Sequence, residues 1–396
     1  MAWQYCNKQI EVTGQTPHIC TLPHTDGSPL ATTTFDFTAD EFHLAAAVCS
    51  HMHPVAANAA GPEASMIRAL VAEHVDDIRP DFAVEASADS FKDFVKSYFS
   101  GTVGTGLAYL AMIRSGYNWA GHFEHLKPAS TTGRTPDFVF AAEGKGTCLV
   151  ESKGTRSAGR SPFDDTVEEG YLEQVERHLG VTLANGARAS HGYCVGAWMT
   201  SVSKAELLVH HTATDTTHGR YAPAGGGGVA DDGGRSLALV QQQDVATALS
   251  LALGTPYGGA IRNNGLEIQS PLLKFTWLDR QWITGGFPYL YRVLSVNGPE
   301  AEHHWVLHWD EEGMPFQRPI FAVESTIAKA VFAHFWGQAE PGSAIEGLEP
   351  LNPEIIFRAR EEGQGAVLPD GLALIRRSFW SKVRPTRWDP QARKFL

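Results

Sequence analysis

The stretch "TPDFVFAAEGKGTCLVESKGTR", Thr135 to Arg156, decides how this chain is read. Two short apolar runs flank a Gly-rich break, and each carries charge at one end: Asp137 opens the first, and Glu151 and Lys153 close the second. Alternation along a strand puts Glu151 and Lys153 on one face and Ser152 on the other. Where Asp137 falls depends on the turn. A four-residue loop, 143–146, sets Asp137 opposite Ser152 and separates the two carboxylates. A three- or five-residue loop, or a Gly bulge, brings Asp137 to the Glu151/Lys153 face. Gly144 and Gly146 allow such a turn with little strain.

Two carboxylates and a backbone carbonyl near one point make a hard oxygen site suited to Mg²⁺ or Mn²⁺. An ion there can polarise a phosphodiester oxygen and acidify an attacking water. A lysine two residues beyond the second acid can orient that water or stabilise charge in the transition state. The alternative is a pair of solvent-facing strand ends joined by a structural ion pair, because acid-x-Lys triplets arise often by chance.

Working outward, "GTGLAYLAMIRSGY" (104–117) is small and apolar almost throughout and predicts a buried helix. "NWAGHFEHL" (118–126) reads as a strand, followed by the strands "PDFVFAA" and "TCLVESK". In "SPFDDTVEEGYLEQVERHLG" (161–180), Val167, Tyr171, Val175 and Leu179 recur at helical spacing, with Asp164 and Asp165 in the first turn where the dipole favours acids. "HGYCVGAWMTS" (191–201) is a fourth strand, and "SKAELLVHH" (203–211) is helix or strand. The order is helix, strand, strand, strand, helix, strand.

Pro136-Asp137 followed by Glu151-Ser152-Lys153, on that order of elements, resembles the PD-(D/E)xK, restriction-endonuclease-like nuclease superfamily. The resemblance covers residues 101–211 or so and says little about the remainder. It implies an α/β fold with a restriction-endonuclease-like core, a mixed central sheet flanked by helices. It implies that Asp137, Glu151 and the Ser152 carbonyl bind Mg²⁺ (or Mn²⁺) while Lys153 assists hydrolysis. Many members carry a further acid on the first helix. The segment 101–117 has none, so Glu124 is the nearest candidate metal ligand, with His122 on the same strand face. Some members carry a Gln on the helix after the lysine strand, and Gln174 is placed for that. Arg134, Arg156 and Arg160 are candidate phosphate contacts, against a default of ordinary surface arginines.

The rest of the chain frames this core. Segments 38–52, 62–78 and 91–99 have helical spacing, so residues 1–100 read as a mixed, mainly helical N-terminal region and 101–220 as the core. "YAPAGGGGVADDGGR" (221–235) is a flexible loop or linker without the GK[ST] ending of a phosphate-binding loop. Residues 236–396 form an aromatic-rich α+β region with strand-like pieces at 275–285, 289–298 and 303–313, helices at 236–253 and 325–337, and a Pro-Asp-Gly hairpin in 366–378. "CSHMHP" (49–54) offers Cys49, His51 and His53 as zinc-type ligands but lacks a second ligand pair, and His210-His211 and His303-His304 read as isolated doublets.

A net charge of −12 argues against a protein that coats nucleic acid nonspecifically, yet basic residues outnumber acids between Phe123 and Arg160. No apolar run has the length of a membrane span, and the N-terminus has no basic segment followed by an apolar one. Five scattered cysteines without a CxxC pair suggest reduced thiols in a cytoplasm. The expectation from the sequence is therefore a cytoplasmic, metal-dependent nuclease acting on DNA, with an RNA-directed nuclease of the same fold as the alternative. A role in bacterial defence rests on analogy alone. A protein partner or homo-oligomer stays open, as do a non-catalytic binding module of the same fold and a zinc hydrolase on the N-terminal histidines.

Overall fold

Alternating apolar runs and helical stretches in this chain have to share cores, and the computed structural model shows how they do. It describes residues 3, 7–20, 22, 25–50, 57–128, 130–181, 183–200, 204–214, 234–253, 272–285, 320–336, 343–363, 365–375, 384–389 and 391–396. The histidines His51 and His53, the predicted strands at 289–298 and 303–313 with His303-His304, and the Gly-rich stretch up to residue 233 lie outside the described residues.

The chain divides into two compact units. The first comprises Met1–Met52, Leu70–Asp244 and Pro341–Ala344. Its chain order is β1 (Lys8–Cys20), β2 (Thr34–Phe37), α1 (Ala39–Ser50), α2 (Ala57–His74), α3 (Asp93–Arg114), β3 (Trp119–His122), α4 (Phe123–Leu126), β4 (Phe138–Ala142), β5 (Gly146–Thr155), α5 (Arg160–Gly170), β6 (His191–Trp198) and β7 (Glu206–Thr214). Of α2, residues 57–69 belong to the second unit and only 70–74 to the first by the same division. The strands form one seven-stranded mixed sheet in the order β2-β1-β7-β6-β5-β4-β3. The β1/β7 and β5/β6 pairs are parallel and the others antiparallel.

Strand β4 is buried at every position, so helices must cover both faces. On one face lies α3, where the two predicted helical segments 91–99 and 104–117 are one continuous helix; Tyr109 packs on Phe140 with ring centroids 5.4 Å apart. Burying a ring such as Phe140 contributes roughly 2–3 kcal/mol. The other face takes α5, through Phe163 and Val167. Helix α1 begins in a reciprocal cap: Thr38 Oγ1 accepts from the Glu41 N–H at 3.1 Å, and Glu41 Oε2 accepts from the Thr38 N–H at 2.8 Å.

The N-terminal region is not a separate module. β1 and β2 extend the central sheet, and Trp3, Phe37, Phe42 and Phe82 form an aromatic cluster with centroids 5.6–6.2 Å apart. β1 escapes a sequence reading because Gly14 and Pro17 interrupt its alternation. The proline is tolerated because β2 pairs with β1 only over Lys8–Glu11, leaving the later residues bonded on one side. The segment 203–211, read as helix or strand, is strand from Glu206 onward, within β7 (Glu206–Thr214).

The second unit comprises His53–Ala69, Val245–Glu340 and Ile345–Leu396. It carries a six-stranded sheet of β8 (Leu272–Trp277), β9 (Arg280–Thr284), β10 (Ile320–Glu324), β11 (Gly365–Val367), β12 (Leu372–Ile375) and β13 (Arg384–Thr386), in the order β11-β12-β10-β9-β8-β13. The predicted Pro-Asp-Gly hairpin is β11/β12, with Gly371 at φ +81°. Among the described residues no helix is long and apolar enough to cross a membrane, and Cys20, Cys49, Cys148 and Cys194 are free thiols.

Candidate functional site

The turn between β4 and β5 settles the register. Ala142 pairs with Gly146 and Phe138 with Val150, so the loop is three residues, Glu143 to Lys145. Gly144 at φ +73° and Gly146 at φ +74° occupy the left-handed region that other residues avoid. Continuing that register by one residue sets Asp137 opposite Glu151, and opposed residues of an antiparallel pair share a face. The odd loop length therefore brings the two acids to one side of the sheet.

Glu151 is 2% exposed, and its Oε2 is buried without a hydrogen-bond partner. Its other oxygen accepts from Lys153 Nζ. Burial, with Asp137 adding its charge, pushes the Glu151 carboxyl up to about 8. Asp137 is also raised, by burial, although two bonds to Ser152 oppose the rise. Both go to Asp137 Oδ2: the Ser152 N–H donates at 2.9 Å and the Ser152 hydroxyl at 2.6 Å. Asp137 Oδ1 takes part in neither. Burial works against the Lys153 ammonium, but Glu151 and Asp137 outweigh it and hold its pKa above the ordinary value.

Gln174 joins the same network. Lys153 Nζ donates to Gln174 Oε1 at 2.8 Å, and Gln174 Nε2 donates to the Thr135 carbonyl at 2.9 Å. The helix carrying it is not regular as predicted. α5 runs into a π turn, Tyr171–Val175, and then a 3₁₀ turn, Glu176–His178. Gly170, just before the π turn, lets the helix close on the site: a Cβ there would lie 2.9 Å from Lys153 Cε and 2.9 Å from Cys194 Sγ.

Glu124 is displaced from its expected place. Strand β3 ends at His122, and Glu124 lies on the short α4 turn, paired with Lys127 and accepting from Thr135 Oγ1 at 2.8 Å. It therefore does not share a strand face with His122, and Thr135 links it to Gln174. The arginines differ. Arg156 is a correction to the surface reading: its side chain is fully buried, bonded to Asp89 Oδ1 at 2.7 Å and the Glu85 carbonyl at 3.3 Å. Arg134 is exposed and faces Glu169 and Glu173 at 3.2 and 3.3 Å, while the half-exposed Arg160 pairs with Glu206 at 3.4 Å. Such exposed pairs are worth little and give way readily to another anion.

A cavity of about 1170 Å³ opens at the other end of these strands, around Tyr117, Lys145, Ser190 and His191. It does not include the acids. Sequence reasoning also passed over Ser152 and Thr135 as side-chain partners; a hydroxyl flanking each acid was the available signal. No family model, curated protein or solved structure matches the chain.

Proposed function

We propose that the first unit is a metal-dependent phosphodiesterase with a restriction-endonuclease-like core, acting on nucleic acid and on DNA in preference to RNA. The observation that carries this reading is the three-residue turn, which sets Asp137 opposite Glu151 while Glu151 Oε2 stays buried and unpartnered. A buried carboxylate oxygen without a donor is costly unless a cation completes it. The donor set fits a hard divalent ion: Asp137 Oδ1, Glu151 Oε2 and the Ser152 carbonyl would hold Mg²⁺ or Mn²⁺. When bound, that ion supplies Lewis-acid polarisation of the phosphodiester and acidifies water.

The chain's own residues do the rest. Lys153, tethered by Gln174 and Glu151, holds a positive charge beside the acids, where it can orient water and stabilise a developing phosphorane charge. Ser152 fixes the Asp137 carboxylate through two bonds. Thr135 and Gln174 tie the strand entry to the helix, so the network is preorganised. Arg134 and Arg160, whose carboxylate pairs are solvent-accessible, are the arginines able to exchange them for phosphate.

The test is a cleavage assay with Mg²⁺ or Mn²⁺ on single- and double-stranded DNA and RNA. It compares the wild-type chain with Asp137→Ala, Glu151→Ala and Lys153→Ala. The reading expects metal-dependent cleavage by the wild type and a loss of at least ~100-fold in each variant. Equal activity in all four proteins, or no cleavage of any substrate by the wild type, would overturn it.

A further inference from the structure

The helix packed against the acids also faces a second set of ligand-type side chains. β1 runs parallel to β7 with Thr16 opposite His210 and His18 opposite Thr212, which places the two histidines on one sheet face. His18 Nε2 lies 2.8 Å from His210 Nδ1, and Tyr171 stacks on the His18 ring at 4.5 Å between centroids. α5 brings Glu168 to this pair: one ligand atom from each of His18, Glu168 and His210 falls within 4.8 Å of the others. Asp164, one turn earlier on α5, lies 3.2 Å from His210 Nε2.

That last contact orients the His210 ring. A carboxylate accepting from the Nε2–H of His210 fixes the tautomer that leaves the Nδ1 lone pair aimed at the cluster. Metal-ligating histidines are oriented in this way by an outer carboxylate. We infer that His18 Nε2, His210 Nδ1 and Glu168 hold a transition-metal ion of the zinc class, with Asp164 orienting His210.

Two imidazoles select such an ion over Mg²⁺, which takes oxygen ligands. Two nitrogens on a tetrahedral ion at about 2.0–2.1 Å are roughly 3.3 Å apart. The 2.8 Å separation must therefore open by about half an ångström, within reach of small side-chain rotations. This site shares no ligand with Asp137 or Glu151, and it does not rest on the nuclease reading. Bound metal would clip β1, β7 and α5 together, three elements far apart in sequence, and so stabilise the native arrangement.

The experiment titrates chelator-stripped, full-length chain with Co²⁺, an optical stand-in for Zn²⁺. It is run in the wild type and in Glu151→Gln, which removes a carboxylate from the other candidate site. One equivalent should develop the visible ligand-field bands of a nitrogen-bound ion equally in both proteins, and Zn²⁺ should abolish them. Asp164→Asn should weaken binding about 10- to 100-fold. Glu168→Gln and His18→Gln should weaken it further, with circular dichroism confirming a native fold; if His18→Gln does not fold, the other two variants carry the result. Absence of bands in the wild type, their loss in Glu151→Gln, or unchanged affinity in Glu168→Gln and Asp164→Asn would overturn the site.

Discussion

Replacing Glu151 by Gln should make the metal-free protein more stable in alkaline solution, although it removes an ion pair. The carboxyl is 2% exposed, and burial with Asp137 lifts it from 4.5 to about 8. At about 1.4 kcal/mol per pH unit, ionising it costs roughly 5 kcal/mol more in the folded chain than in the unfolded one. Between those two values the folded state binds more protons than the unfolded state, so stability falls as pH rises. The contribution is complete below pH ~4.5 and gone above pH ~8. Gln cannot ionise, which removes this loss. The attraction of Lys153 is already contained in that net shift, while the buried amide NH₂ put in place of an oxygen that accepts nothing costs about 1–2 kcal/mol. The variant should therefore exceed the wild type by about 2–4 kcal/mol at pH 9 in a chelator and lose that advantage at pH 4.5. Urea denaturation at several pH values measures it. Mg²⁺ should then stabilise the wild type at pH 8 and leave the variant unmoved. If both proteins follow the same stability–pH curve in chelator, the account of Glu151 as a frustrated buried acid is wrong.

Four further substitutions, the first with a control, separate packing from chemistry. Gly170→Ala puts a methyl 2.9 Å from Lys153 Cε and Cys194 Sγ; it should cost about 1–3 kcal/mol and most of the cleavage rate, whereas Gly159→Ala, whose nearest contact is 3.5 Å, should change neither by much. Arg156→Ala should lower unfolding stability by about 2–3 kcal/mol without altering the salt dependence of nucleic-acid binding, because the side chain is buried against Asp89. Arg134→Ala should do the opposite, with stability within ~0.5 kcal/mol of wild type and a salt slope reduced by about one. Ser152→Ala removes the hydroxyl that donates to Asp137 at 2.6 Å and should cost about 1–3 kcal/mol by thermal or chemical denaturation.

The hairpin around the acids was readable because its two strands are near neighbours in sequence and its glycines announce a turn of positive φ. Parity of the loop was the undetermined quantity, and Gly144 and Gly146 permitted an odd count without imposing it. Apolar spacing showed helix in both places but not its bounds: 91–99 and 104–117 are one helix, Asp93–Arg114, and 161–180 is regular only to Gly170; the run of strands between and after them was readable too. What escaped depended on contacts distant in sequence. His18 meets His210 only because β1 lies parallel to β7, and β1 itself is broken by Gly14 and Pro17. The burial of Arg156 depends on Asp89 and Glu85 packing beside it, which no local pattern encodes. Glu124 left its expected strand because the chain turns helical directly after His122, a boundary where strand and helix propensities are balanced. The restriction-endonuclease-like topology rests on the same reading as the proposed function.

The π turn at Tyr171–Val175 sets the rotational phase of everything that follows it. Each residue of an α-helix advances about 100° around the axis. A π turn accommodates one additional residue, so the same sequence wound as plain α-helix would carry the residues after the turn further round the axis by up to about that angle and pull Gln174 away from Lys153. Tyr171, at the start of the same turn, stacks on His18, so the widened turn joins the His18 cluster to the Lys153 network. The helix is in this sense a crankshaft, with its two sets of working side chains held in time by a single extra residue.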